Sequence, residues 1–222
     1  MTIYAKALKK YWYVILLITV LFTVISFGVS VLQTPKFRST VKLLIIQKQR
    51  QTLDAYAAAR SAQTVGEILS KMVYTSSFFD RVMLSGFKIK DDFSKDPEKR
   101  KKEWKERVSA RVIDETGTIQ VDVWHPDPRQ AEQLAYGIAY VMINYGTEYH
   151  GGGTQIEIKM VDLPWTSDSP VKPNVIQNIA AGFVLGLFVS GALVILFGAR
   201  KPVTKPGFEK KPEVKEWGVE VE

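Results

Sequence analysis

Residues Val161–Ala199 read VDLPWTSDSPVKPNVIQNIAAGFVLGLFVSGALVILFGA. Three prolines (Pro164, Pro170, Pro173) and Trp165 fall in the first fourteen residues. Proline fixes φ and has no backbone donor, so residues 161–174 suit neither a helix interior nor a central strand. The twenty-five residues that follow, Val175–Ala199, carry no charge. A bilayer core of about 30 Å needs about 20 helical residues, so this run is long enough to span.

A second uncharged run of nineteen residues, Val14–Leu32 (VILLITVLFTVISFGVSVL), lies near the other end. It is longer than a signal-peptide apolar region, and SVLQTPKF has no A-x-A cleavage pattern, so it reads as a retained anchor. Lys6, Lys9 and Lys10 precede this run, and Arg200, Lys201, Lys205, Lys210, Lys211 and Lys215 follow the other. Basic flanks mark the cytoplasmic side, and Tyr11, Trp12, Tyr13 and Trp165 fit interfacial belts. The predicted order is a cytoplasmic N-terminus (1–13), a span (14–32), an extracytoplasmic domain (33–174), a second span (175–199) and a cytoplasmic tail (200–222).

The chain has 222 residues, 46% of them apolar, and a net charge of +7. Residues 33–173 hold 21 basic and 18 acidic side chains, so this middle is only about +3. Most of the basic excess is therefore juxtamembrane, where it favours anionic lipid, and no nucleic-acid partner is expected. There is no cysteine, hence no disulfide, thiolate nucleophile or thiolate metal site.

Within the middle, Phe37–Gln47 (FRSTVKLLIIQ) is rich in β-branched residues and reads as a strand. In Asp54–Val73, the spacing of Ala58, Ala62, Val65, Leu69 and Met72 gives an amphipathic helix. Ser77 through Asp80 fits a capping box for a short helix ending near Leu84. Asp96-Pro97 opens another helix, whose charges (PEKRKKEWKER) read as a solvated face. Val108–Asp114 and Thr118–Trp124 form a predicted hairpin through Glu115-Thr116-Gly117, with Ile119, Val121 and Val123 on the covered side. Asp127 and Pro128 cap a long helix, with Gln130 completing a capping-box pattern. Its core face is Ala131, Leu134, Ala135, Ile138, Met142 and Tyr145. Gly151–Gly153 end it as a hinge, and Gln155–Leu163 is a last strand. The prediction is an α+β domain with a small mixed sheet, in which the first and last strands lie beside each other or nearly so.

Catalytic signals are sparse. His125 and His150 are the only histidines and have no second ligand at metal spacing; His150 instead suits a helix C-terminus. No P-loop or G-x-S-x-G motif occurs, and the carboxylates are scattered, so no enzyme, metal or cofactor is predicted. Two other features stand out. Gly182, Gly186 and Ser190 recur every four residues, a face on which the first span or a neighbouring subunit can pack closely. Pro164, Pro170 and Pro173 stiffen the link between strand and span, which makes it a semi-rigid juxtamembrane coupling.

Taken in order, these residues resemble the polysaccharide co-polymerase, or chain-length determinant (Wzz), family of bacterial inner-membrane proteins. The resemblance is carried by FRSTVKLLI after an anchor and by TGTIQVDVWHPDPRQAEQLA, with Asp127, Pro128, Ala131, Leu134 and Ala135. Val161, Asp162, Pro164, Pro170, Pro173, Asn174, Gly182 and Gly186 complete it. It extends over about residues 3–200. It implies a homo-oligomer that sets the length of surface polysaccharide (O-antigen, capsule or exopolysaccharide) beside a membrane polymerase and the growing glycan. The short middle domain is similar to the compact form in capsule and exopolysaccharide systems. Some of those carry a fused tyrosine kinase or activate a separate one. Here no kinase motif is found and Lys201–Glu222 holds no tyrosine, so a cytoplasmic kinase partner for the tail is the alternative reading.

Overall fold

A computed structural model of the chain describes residues 8–48, 55–113, 117–150 and 155–198. The predicted Gly151–Gly153 hinge, Glu115-Thr116 of the hairpin turn and the tail from Ala199 onward lie outside the described residues, as does the His150 side chain. Ten elements follow in order: α1 (Trp12–Leu32), β1 (Phe37–Gln47), α2 (Ala55–Met72), α3 (Ser76–Met83), α4 (Pro97–Arg107), β2 (Val108–Ile113), β3 (Thr118–His125), α5 (Pro128–His150), β4 (Ile156–Thr166) and α6 (Val175–Gly198). The chain divides into two units, one of residues 27–178 and one of residues 1–26 with 179–222.

The larger unit is built on a four-stranded sheet of order β2-β3-β1-β4. The first and last strands are direct neighbours. Every pairing is antiparallel, which corrects the mixed sheet expected from sequence. The reason lies in the connections: β2 and β3 form a hairpin, and β3 and β4 both enter beside the C-terminal end of β1, one on either side, and so run against it.

In β1, Val41, Leu43 and Ile45 face inward, beside Ile119, Val121 and Val123 of β3. This is the alternation that a sheet with one covered face requires. Ala62, Val65 and Leu69 of α2, with Leu134, Ala135, Ile138 and Met142 of α5, close over that face and are buried. Tyr145, expected in the core, is instead 36% exposed and packs under the Arg81 guanidinium. Gly146 takes the buried position there, against Ile158 and Leu69, because the bulk of a tyrosine has no room beneath β4.

α3 and α4 add a second part to the core. α3 is capped by Thr75, not Ser77: the Thr75 hydroxyl accepts from Phe78 N–H, while Ser77 Oγ lies 3.2 Å from the Tyr149 hydroxyl. The Asp96 carboxylate accepts from Glu98 and Lys99 N–H, and Pro97 starts α4. α4 is not only a solvated face, since its Trp104 is 1% exposed. The Trp104 indole meets Phe79 edge-on at 5.1 Å, and its N–H donates to the Val73 carbonyl at 2.8 Å. A buried indole needs such an acceptor.

Gly117, at the start of β3, has φ +64, a left-handed conformation that favours glycine. A Cβ there would also lie 3.0 Å from Ala62 Cβ, so α2 could not approach so closely. In the smaller unit, the described parts of α1 and α6 are apolar. Trp12–Leu32 and Val175–Phe197 are both long and apolar enough to cross a membrane.

Candidate functional site

The three prolines singled out from sequence lie in the larger unit, where β4 leads into the chain before α6. β4 runs on through Pro164 to Thr166, past the strand end expected from sequence. It is an edge strand, the place where a residue without an N–H costs no ladder bond. Pro164 is buried there, within the register irregularity that separates Thr40 from Lys42.

Beyond Thr166 the segment is held to β1. Ser167 N–H donates to the Arg38 carbonyl at 2.9 Å, and Arg38 N–H donates to Ser167 Oγ at 3.1 Å. Val171 N–H donates to the Lys36 carbonyl at 2.9 Å, and Lys36 N–H donates to the Lys172 carbonyl at 2.9 Å. Pro170 and Pro173 therefore flank a short antiparallel bridge, Lys36 to Lys172. The two legs are tied to one another by backbone hydrogen bonds. Nearer the helix ends, the Asn174 carboxamide oxygen accepts from Gln177 N–H and so caps α6, and Asn178 Nδ2–H donates to Ser30 Oγ at 3.0 Å. Stiffness from proline was legible in the sequence; this stapling was not, because its acceptors lie some 130 residues away.

The outer face of the sheet at this end is polar and aromatic. The Asp122 carboxylate accepts from the Thr40 hydroxyl at 2.6 Å and from Gln120 Nε2 at 3.0 Å. Trp124 lies opposite Arg38 in the register, and Lys172 Nζ sits 3.5 Å from the centre of its indole ring. Trp165 pairs with Thr40 and is 60% exposed.

Asp127 and Pro128 begin α5 at the end of β3. The Asp127 carboxylate accepts from Arg129 N–H at 2.9 Å, as an N-cap does. Gln130 does not close a capping box. It is buried and ties down the preceding loop, accepting from Lys90 N–H and donating to the Lys88 carbonyl. Asp127 N–H donates instead to His125 Nδ1 at 2.9 Å, so in neutral His125 the proton sits on Nε2, 3.3 Å from the Asp92 carboxylate. Burial raises the Asp92 pKa, but the hydrogen bond and charge of Arg107, with His125, outweigh it and hold the carboxyl below its ordinary value.

Within the smaller unit, Gly182, Gly186 and Ser190 face the first helix. A Cβ on Gly182 would lie 2.5 Å from Ser26 Cβ, and one on Gly186 would lie 2.8 Å from Thr19 Cα. Ser190 is buried with its Oγ 3.5 Å from Thr19 Oγ1, and both hydroxyls also donate to carbonyls one turn back in their own helices. Small side chains let the two backbones meet, the arrangement by which helices associate in lipid.

A separate surface groove of about 310 Å³ is lined by Arg81, Leu84, Ser85, Tyr140, Tyr145 and Glu148. Arg81 forms a fork with the Glu148 carboxylate, at 3.1 and 2.5 Å. The groove thus offers aromatic faces and a paired charge. No group of three metal-ligating side chains occurs among the described residues.

Comparison with known families gives one match. Residues 3–82 fit the family model described as Wzz, chain length determinant protein. This segment is similar to a chain length determinant. It takes in α1, β1, α2 and all but the last residue of α3, so the Wzz match includes one spanning-length helix and one of the two inner strands of the sheet. Regulation of polysaccharide chain length is the role that the Wzz family implies. No curated protein matches the chain.

Proposed function

We propose that this chain is a non-enzymatic regulator of surface polysaccharide, setting the chain length, assembly or export of O-antigen, capsule or exopolysaccharide. It acts as a homo-oligomer beside a membrane polymerase in the bacterial inner membrane. Both termini are cytoplasmic, and residues 33–174 stand outside on two spans. The match of residues 3–82 to the Wzz family carries this reading. The bridge between Lys36 and Lys172, which ties together the two segments that lead to the spanning-length helices, supports it.

On this reading Pro164, Pro170 and Pro173 position the sheet, the Gly182–Gly186–Ser190 seam holds the two helices, and Asp127 with Pro128 anchors α5. The test is the length distribution of polysaccharide on a gel, from cells with and without the gene. Loss or broadening of the modal length is expected, and an unchanged ladder refutes the role. The adaptor reading, activation of a cytoplasmic tyrosine kinase, rests on residues 201–222. Deleting them would then abolish kinase phosphorylation and leave the outer domain folded.

A further inference from the structure

One end of the larger unit gathers three cations, Lys36, Arg38 and Lys172. Lys36, Arg38 and Lys172 make no ion pair among the described residues, whereas Lys42, two residues further along β1, is paired with Asp162 at 2.8 Å. Lys36 and Lys172 are partners in the antiparallel bridge, so their side chains leave on the same side. Arg38, two residues along the strand, points the same way. Its Nε is buried without a hydrogen-bond partner.

Asp122, whose charge acts on Lys172, is already engaged by Thr40 and Gln120, with Arg111 at 3.9 Å. Burial first, and the Lys36 charge second, hold the Lys172 ammonium below the usual lysine range against the pull of Asp122. The backbone bridge thus holds like charges together, which is unfavourable unless an anion joins them.

Their position says which anion is at hand. Lys36 lies four residues past Leu32, and Lys172 three residues before Val175. An extended chain covers at most about 3.5 Å per residue, so both lysines stay within about 14 Å of the ends of the spanning-length helices. Polar headgroups fill roughly the first 5–8 Å beyond the hydrocarbon, within reach of a lysine or arginine side chain from there. Exposed Trp165 and Leu163 stand beside them, with the Trp124 indole under Lys172. Tryptophan with lysine and arginine is the composition of a membrane interface.

We propose that Lys36, Arg38 and Lys172 form a binding site for the phosphate of a membrane lipid headgroup, in the leaflet facing residues 33–174. The guanidinium and two ammonium groups supply charge-assisted hydrogen bonds to its oxygens. The bound lipid spans both legs, Lys36 and Arg38 from one and Lys172 from the other, and so reinforces the backbone staple. The inference rests on the spanning assignment, which resistance of the protein to alkaline extraction from membranes tests by itself.

Thermal unfolding of the detergent-solubilised full chain, titrated with phosphatidylglycerol, decides it. At tenfold excess over its dissociation constant the lipid raises the midpoint by roughly 3–6 °C. Diacylglycerol, which has no phosphate, does not. The shift is lost in Lys36→Gln/Arg38→Gln/Lys172→Gln and kept in Lys36→Arg/Lys172→Arg. It is also kept in Lys9→Gln/Lys10→Gln/Arg200→Gln/Lys201→Gln, which removes cations on the other side. A triple variant that retains the shift, or equal shifts from phosphatidylglycerol and diacylglycerol, overturns the site. Should the triple variant fail to fold, the two lipids on the wild-type chain still decide. Glycerol phosphate giving the full shift at the same concentration overturns the lipid as its source.

Discussion

Replacing Gly186 by valine should prise apart α1 and α6. Any Cβ at 186 would lie 2.8 Å from Thr19 Cα, 3.0 Å from Phe22 Cβ and 3.2 Å from the Thr19 carbonyl oxygen. Ordinary carbon contacts are about 3.5–4.0 Å, so the helices must part by about 1 Å. Two of these three neighbours are backbone atoms, so no side-chain rotation relieves the clash. Overpacking of this kind costs about 1–3 kcal/mol, roughly a 5- to 150-fold loss of the closed arrangement. The Thr19–Ser190 hydroxyl pair, already at 3.5 Å, reports the change. Because the chain has no cysteine, Thr19→Cys/Ser190→Cys introduces the only thiols. Their oxidation within one chain can be followed by blocking of the free thiols with a polyethylene-glycol maleimide on a gel. The parent pair should oxidise readily, and the same pair with Gly186→Val several-fold more slowly; Gly186→Ala, which adds the Cβ alone, should fall between. Equal rates in all three would refute the steric argument. A dimer-sized disulfide product would show that the seam forms between copies.

Trp104→Phe removes the N–H that the Val73 carbonyl accepts and part of the ring against Phe79 and Phe93. It should lower stability by about 1–3 kcal/mol, read as a drop in Tm. Asp127→Ala removes the acceptor of Arg129 N–H and should cost about 1 kcal/mol in chemical denaturation; no loss would mean that the His125 contact suffices as a cap. The Asp92 carboxyl is depressed in the fold, so its contribution is present above the unfolded pKa of about 3.9 and lost as pH falls through the lower folded value. Asp92 is 46% exposed, which limits the effect to below about 1 kcal/mol. Asp92→Asn should lower stability near neutral pH, and the difference from wild type should shrink below about pH 4. Pro170→Ala/Pro173→Ala should leave the outer domain folded, by circular dichroism, yet disturb oligomer assembly or the polysaccharide length profile. An unaltered oligomer and profile would reduce the segment to a helix stop.

Periodicity and punctuation made most elements legible. The 3.6-residue spacing of Ala62, Val65 and Leu69, the alternation of Ile119, Val121 and Val123, and the two uncharged runs are local patterns, and each marks its element in the structure. Local reading failed where a side chain answers to a distant partner. Trp104 looked like one apolar residue in a charged helix, but its place is set by Phe79, Phe93 and the Val73 carbonyl. Gln130 fits the capping-box pattern, yet it is drawn to Lys88 and Lys90, forty residues back. Tyr145 sits on the apolar face by count, but its ring is too large for the space that Gly146 fills.

The sequence by itself determined two spanning-length helices, an α+β middle and a stiff link before the second helix, because hydropathy, side-chain period and proline geometry act within a few residues. Tertiary structure alone decided that the link is stapled to β1, that β4 is an edge strand able to hold Pro164, and that Lys36, Arg38 and Lys172 share one face. Each of these depends on backbone pairing between segments more than 100 residues apart, and strand register leaves no mark on either segment read alone.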